Sequence, residues 1–371
     1  MESRRIVIAC GGSGGHLAPG IALAEEGSMR GYQPVLFVSS KTVDRRMLAK
    51  YSSWQVVSLP AEPLLLTPWK FLRFCHSQVI SFAKTLYFLM RNPTEAIIVM
   101  GGFISLSVAV AGFLKRIPIF IHESNRIPGK ITRWLAVLAK RIYVPKGCAI
   151  PQAEWVHKIR NCGYPLRSEF SEAMLSAKNA SKESSKEGLT LVLLGGSQGA
   201  KALNDWFCEH VLELKKLVKN LVCVTGQAYY EEHKEVLEPT HQASPNIRFL
   251  SFCDDMPSLL AEADVVIARA GAGTIAECMY CETPMILVPL PSAADDHQQA
   301  NAEWAQKLGC AYVVKEAELD FLFPLVKWIT ASPGILAHMQ HQIRTEKEED
   351  VRKPMMNDIL GILAGEDARE H

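Results

Sequence analysis

Short, continuous apolar runs rich in branched residues recur along this chain, each followed by a longer helical pattern. RIVIA (residues 5–9), PVLFVS (34–39), AIIVM (96–100) and IPIFIH (117–122) are such runs, with helical patterns over 17–30 and 105–114. A strand that is apolar throughout must be covered on both faces, which requires a parallel sheet with helices on either side. The alternation pauses after GYPLR (163–167) and restarts with LTLVLL (189–194), LVCVT (221–225), NIRFL (246–250), DVVIA (264–268) and PMILVP (284–289). Two α/β halves are therefore expected, each a doubly wound Rossmann-like domain, the two facing a cleft. The polar stretch 171–188, SEAMLSAKNASKESSKEG, is expected as a surface connection near the boundary. The predicted division is 1–163, 164–340, and a C-terminal helical segment over 341–371 packing back on the first domain.

A length of 371 residues supports two cores rather than one. The formal net charge of +1 gives no basic field, so nucleic acid is not expected as a partner. No stretch reaches the roughly 20 apolar residues of a bilayer crossing, and the start lacks a secretory pattern, so a cytoplasmic protein is expected. The ten cysteines are scattered, mostly in apolar runs, as free thiols in a reducing compartment. Cys278 and Cys281 form a CxxC with no second pair at zinc spacing and are read as packing.

Glycine-rich turns follow three of the strands: GGSGGH (11–16), GGF (101–103) and GGSQGA (195–200). Glycines let backbone approach a ligand, and a helix N-terminus beyond them favours an anion. The first turn is not a dinucleotide fingerprint, because Leu17 stands where the third glycine would be. The second is not a P-loop, because Ala200, Lys201 and Ala202 occupy its closing positions. Repeated at strand ends in both halves, the turns suit a diphosphate. His16 stands beside the first turn at a helix start. It is either a neutral base able to take a proton from a hydroxyl or a residue that only caps the helix or packs against the next loop. Glu277 follows the small-residue loop RAGAGTIAE (269–277). It either accepts hydrogen bonds from a ribose diol or favours the helix dipole from the first turn. DDHQQAN (295–301) offers amides and a histidine for sugar hydroxyls. No carboxylate pair at a strand end demands a metal; Asp254–Asp255 and Asp295–Asp296 are expected to be solvated. No cofactor is expected.

Taken together, GGSGGH, HESN (122–125) with Pro128 and Gly129, GYPLR, GGSQGA, RAGAGTIAE and HQQAN resemble, in order and spacing, the MurG family. That family comprises the UDP-N-acetylglucosamine–lipid I N-acetylglucosaminyltransferases. The resemblance runs from Arg5 to about Gly361. It implies a glycosyltransferase B fold, with the donor on the C-terminal domain and the acceptor on the N-terminal one. It also implies that Ser13, Gly14 and Gly15 meet the diphosphate or acceptor, and that Asn125 meets the donor sugar. Arg167 and Ser197 would meet the nucleotide, and Cys253 the uracil through its backbone. Ala272, Gly273, Thr274, Ile275, Ala276 and Glu277 would hold phosphate and ribose, and Gln298 the sugar. Five positions depart from the family pattern: Phe103 for Tyr, Leu106 for Gly, Arg126 for a small residue, Thr132 for Asn and Tyr164 for Asn.

The implied reaction is attack by the 4-hydroxyl of an N-acetylmuramoyl sugar on the anomeric carbon of N-acetylglucosamine, with inversion and loss of UDP. His16 is the first choice for the base and Glu123 the second. Rival readings are a UDP-N-acetylglucosamine 2-epimerase, another glycolipid glycosyltransferase of this fold, or a nucleotide-sugar-binding protein without activity. A lipid-linked acceptor requires a membrane surface. The segment 64–91, basic and aromatic with no acid between Glu62 and Glu95, is the expected docking face on anionic lipid.

Overall fold

The computed structural model describes residues 4–11, 14–40, 42–62, 64, 67–149, 153–180, 188–195, 200–347 and 349–365. It divides into two units, Met1–Arg167 with Asp350–His371, and Ser168–Glu349.

The first unit contains β1 (Arg5–Ala9), α1 (Gly14–Met29), β2 (Gln33–Val38), α2 (Thr42–Leu48), β3 (Gln55–Ser58) and α3 (Pro68–Arg91). It continues with β4 (Ala96–Val99), α4 (Ile104–Leu114), β5 (Ile119–His122), α5 (Lys130–Leu135), β6 (Arg141–Val144) and β7 (Ile159–Asn161). Its parallel sheet runs β3-β2-β1-β4-β5-β6-β7. The second unit contains α6 (Ser168–Ala180), β8 (Thr190–Leu194), α7 (Lys201–Leu214), β9 (Asn220–Val224), α8 (Gln227–Ala243), β10 (Ile247–Leu250) and α9 (Met256–Glu262). There follow β11 (Val265–Ala268), α10 (Ala272–Tyr280), β12 (Met285–Leu287), α11 (His297–Lys307), β13 (Ala311–Val313), α12 (Leu322–Thr330) and α13 (Pro333–Glu346). Its sheet, β10-β9-β8-β11-β12-β13, repeats the same winding. In each unit the chain starts in the middle, works to one edge and crosses back. The switch points lie between β1 and β4 and between β8 and β11, beyond whose carboxyl ends ligands bind in such sheets.

Burial explains why the central strands are apolar throughout. Val7, Ile8, Ile97, Ile98, Phe120 and Ile121 pack on both faces of the first sheet. Leu191, Leu193, Val266 and Ile286 do the same in the second. Each such side chain contributes about 1.5–3 kcal/mol on leaving water. The edge strands β3, β7 and β13 carry little of this signal. β3 is a mostly exposed edge, and β7 and β13 have three residues each.

The segment expected as a connection over 171–188 differs. Its first part belongs to α6, because Phe170 is fully buried against Tyr280 and the Ser171 hydroxyl bonds the Tyr280 hydroxyl at 2.9 Å. One buried aromatic anchors an otherwise polar helix. Helix α1 begins within the glycines, at Gly14, earlier than the apolar pattern starts.

The chain returns to the first unit through α14 (Arg352–Leu363). Met355, Met356 and Ile359 enter the core beside α1. Arg352 bonds Asp350 Oδ2 at 2.7 Å and Glu25 Oε2 at 3.1 Å, and Glu25 also accepts from the Tyr51 hydroxyl at 2.8 Å. At the far end Tyr143 donates to Asp358 Oδ2 at 2.6 Å. Helix α13 stays with the second unit, where Arg344 and Lys347 each reach Glu282 at 2.6 Å.

Candidate active site

Two residues beyond β1 stands Gly11, where a Cβ would lie 2.2 Å from the Ser39 nitrogen, so the turn passes against the end of β2 with no room for a side chain. Gly12 and Ser13 lie outside the described residues. Gly14 and Gly15 open α1, and His16 follows them in its first turn.

The third glycine turn explains where that imidazole goes. Gly101 and Gly102 have φ of +89° and +74°, a backbone that side chains disfavour. A Cβ on Gly101 would lie 3.2 Å from His16 Nε2, and one on Gly102 3.3 Å from Nδ1. The positive φ accounts for glycine at both positions, and the His16 ring lies close against them, which gives that turn a use other than anion binding.

The next strand end carries His122 and Glu123. His122 is buried, and burial lowers its imidazole to about 4 although its Nε2 meets the Gly163 carbonyl at 3.3 Å. Glu123 is also buried, and its carboxylate is filled. Oε1 accepts from the Asn125 backbone N–H at 2.9 Å and from Asn125 Nδ2 at 3.1 Å. Oε2 accepts from the Gly129 N–H at 2.9 Å and from the Thr132 hydroxyl at 2.7 Å. A carboxylate holding four donors organises the loop between β5 and α5. Asn125 is half-buried and held by that carboxylate.

The departures from the family pattern find partners. Phe103 meets Phe74 of α3 edge-to-face at 5.5 Å, and its carbonyl accepts from Gln78. Thr132 is one of the four donors to Glu123. Arg126 is buried and its carbonyl accepts from the Ala149 N–H. Tyr164 lies edge-to-face with His122 at 6.2 Å. Leu106 packs half-buried on the core.

In the second unit, Gly195 repeats the role of Gly11. A Cβ there would be 2.9 Å from the Val224 carbonyl and 3.0 Å from buried Asn204. Ser197 lies outside the described residues. Beyond β11 the loop ends at Gly271, and Ala272, Gly273, Thr274, Ile275, Ala276 and the half-buried Glu277, expected as a loop, form the first turns of helix α10. Arg269 holds the base of that loop. Its guanidinium donates to the carbonyls of Val288 at 3.3 Å and Pro289 at 3.4 Å and pairs with Glu316. Asn301, fully buried in α11, donates to the Ala270 carbonyl at 3.2 Å. The loop is thus tied to β12 and to α11.

Helix α11 also carries Gln298, whose carbonyl oxygen accepts from the Leu290 N–H at 3.0 Å. That bond fixes the amide orientation and leaves its NH2 as the remaining donor. Asp295 and Asp296 precede α11 with φ of +51° and +52°, a left-handed backbone that costs about 1–3 kcal/mol per non-glycine residue. They set the entry of the helix. Asp255 is a helix cap, accepting from the Ser258 N–H at 3.1 Å. Cys253 is half-buried, and burial raises its thiol. Arg167, half-buried, is the last residue of the first unit. Sequence reasoning assigned no individual role to Arg269 or His122 and counted Asn301 among the amides offered to sugar hydroxyls, whereas its side chain is fully buried on the Ala270 carbonyl. The available signal was a charged or polar residue at the end of an apolar strand or at a helix position facing the core.

Residues 6–144 match the family model described as the glycosyltransferase family 28 N-terminal domain, and residues 190–354 the family 28 C-terminal domain. A protein of Opitutus terrae is 37% identical over 358 residues, covering 95% of this chain and 93% of the relative. One of Burkholderia thailandensis is 30% identical over 381 residues, covering 98% of this chain and 97% of the relative. Both are named UDP-N-acetylglucosamine–N-acetylmuramyl-(pentapeptide) pyrophosphoryl-undecaprenol N-acetylglucosamine transferase. The chain belongs to glycosyltransferase family 28 and, within it, to the MurG family.

The solved MurG structure of Acinetobacter baumannii superposes with a TM-score of 0.70 at 23% identity, over 96% of this chain and 99% of that one. A UDP co-structure of S. aureus MnaA gives 0.70 at 12% identity, over 97% of both chains. At these identities the likeness is one of fold, the two-domain glycosyltransferase B architecture. The family 28 N-terminal match covers His16 and Glu123, and the C-terminal match covers Glu277 and Gln298.

Proposed function

We propose that this MurG-family chain transfers N-acetylglucosamine from UDP-N-acetylglucosamine to the 4-hydroxyl of the N-acetylmuramoyl sugar of lipid I, making lipid II for peptidoglycan. The observation that carries this is likeness along nearly the whole length to relatives that bear that one name.

In this reading the acceptor hydroxyl attacks the anomeric carbon from the face opposite UDP, and configuration inverts. His16 takes the hydroxyl proton. Its support is the pair of positive-φ glycines that hold the ring at the carboxyl edge of the first sheet. Glu123 acts one step back, fixing Asn125 and the loop around it. The helix start at Gly14 and Gly15 favours negative charge on diphosphate. In the second unit Glu277 binds the ribose diol, the backbone at Cys253 reads uracil, and the Gln298 amide donates to a sugar hydroxyl. Arg167 and Ser197 act on the nucleotide, and Ser13 on diphosphate or acceptor.

The enzyme works at the cytoplasmic face of the plasma membrane as a peripheral protein. Among the described residues no single helix is long and apolar enough to cross a bilayer. Helix α3 instead exposes Trp69, Phe71, Leu72 and Val79 beside Lys70. The basic character is smaller than the sequence suggests, since Arg73 pairs with Glu62 at 2.7 Å. Lipid contact thus rests mainly on the apolar side chains and Lys70.

Incubating the protein with labelled UDP-N-acetylglucosamine, with and without a lipid I analogue, tests the activity. Label should move to the lipid only when acceptor is present. Formation of an epimer without acceptor, or binding with no product under either condition, would reject the transferase reading.

A further inference from the structure

Helix α1 contains Pro19 only one turn beyond its start. In an α-helix the carbonyl of residue 15 accepts from the N–H of residue 19, and proline has no N–H to give. The Gly15 carbonyl therefore lacks its regular helical donor, in the peptide that leads into His16. A hydroxyl takes that place: Tyr164 donates to the Gly15 oxygen at 3.1 Å.

The phenol is itself held. Its ring meets the His122 ring edge-to-face at 6.2 Å, and the preceding Gly163 carbonyl lies 3.3 Å from His122 Nε2. His122 is buried and ends β5, so this short segment is pinned to the sheet on one side and to the start of α1 on the other.

We propose that Tyr164 is a positioning residue for His16, its hydroxyl replacing the helical donor that Pro19 removes and so fixing the peptide that aims the imidazole over Gly101 and Gly102. This rests on the reading of His16 as the base. A freed first turn lets the ring leave its productive place, which lowers turnover without touching the donor-binding residues of the second unit.

A double-mutant cycle on the full chain tests it, with UDP-N-acetylglucosamine and a lipid I analogue. Tyr164→Phe keeps the ring on His122 and removes one neutral hydrogen bond, so kcat should fall about three- to tenfold with the KM for UDP-N-acetylglucosamine unchanged. Pro19→Ala returns an N–H to residue 19, and in that background Tyr164→Phe should change kcat by less than about twofold. Equal losses in both backgrounds, or no loss in the parent, would overturn the proposal. Should Pro19→Ala not fold, the His16 imidazole signal by NMR decides. A shifted or broadened signal in Tyr164→Phe supports the proposal, and an unchanged one overturns it. Failure of the base reading looks different: His16→Ala would turn over normally while the His16 imidazole signal still shifted in Tyr164→Phe.

Discussion

At the scale of single residues, His16 and Glu123 were both legible as candidates, and their surroundings differ. Four donors fill Glu123, whereas a glycine turn is shaped around the His16 ring. His16→Ala should lower kcat by about 10²–10⁴-fold, the range for a lost general base, with UDP affinity intact. Initial-rate kinetics beside calorimetry of UDP binding checks both halves of that statement. Glu277→Ala should weaken UDP binding by about 1–3 kcal/mol through the lost charged hydrogen bonds. Calorimetry showing equal affinity would remove Glu277 from the ribose site.

His122 gives a pH dependence whose sign follows from burial. Its folded value is about 4 against an ordinary 6.5, so between these the unfolded chain takes up a proton that the folded one refuses. Stability then falls as pH drops through that window, by up to about 1.4 kcal/mol per unit from this group. Urea titrations across the window should show a shallower fall in His122→Asn than in the parent. Carboxylates such as Glu282 and Asp350, both held below their usual range, contribute alike to both proteins and cancel in the difference.

At the scale of elements, legibility tracked burial. The central strands announced themselves because both faces are covered; the edges β3 and β7 did not, because solvent relaxes the demand for apolar residues. Helix α6 was hidden for the same reason, with Phe170 the one fully buried apolar anchor among its described side chains. The conformation of Gly101 and Gly102 was not legible, since a GG pair is equally suited to a phosphate or to a neighbouring ring. The clasp of α14 was not legible either, because ion pairs between residues more than 300 positions apart leave no local pattern. Arg352 is nearly buried between Asp350 and Glu25, and removing one partner of a buried pair leaves the others uncompensated. Arg352→Ala should destabilise the first unit by about 3–5 kcal/mol, read by chemical denaturation, with an Arg352→Lys change recovering only part of it.

At the scale of the whole molecule, two units of the same winding split the work between acceptor chemistry and donor binding in the proposed reading. Membrane contact belongs at this scale, since it concerns which face of α3 meets lipid. Trp69→Asp combined with Lys70→Glu removes one exposed aromatic and reverses one cation, so sedimentation with anionic vesicles should drop clearly while UDP affinity holds. Each cation near such a surface is worth about 1 kcal/mol, and added salt should weaken binding of the parent. Equal sedimentation of both proteins would assign the membrane face to another surface.

The path of the chain also orders its own synthesis. Residues 350–365 are translated only after all of the second unit, yet Met355, Met356 and Ile359 complete the core beside α1. A nascent first unit therefore waits on the ribosome with an open apolar trough while its neighbour is made and folds. Chaperones that shield such surfaces have their longest opportunity in that interval. A fragment ending at residue 167 would carry the same open trough permanently, and supplying the α14 peptide in trans should close it.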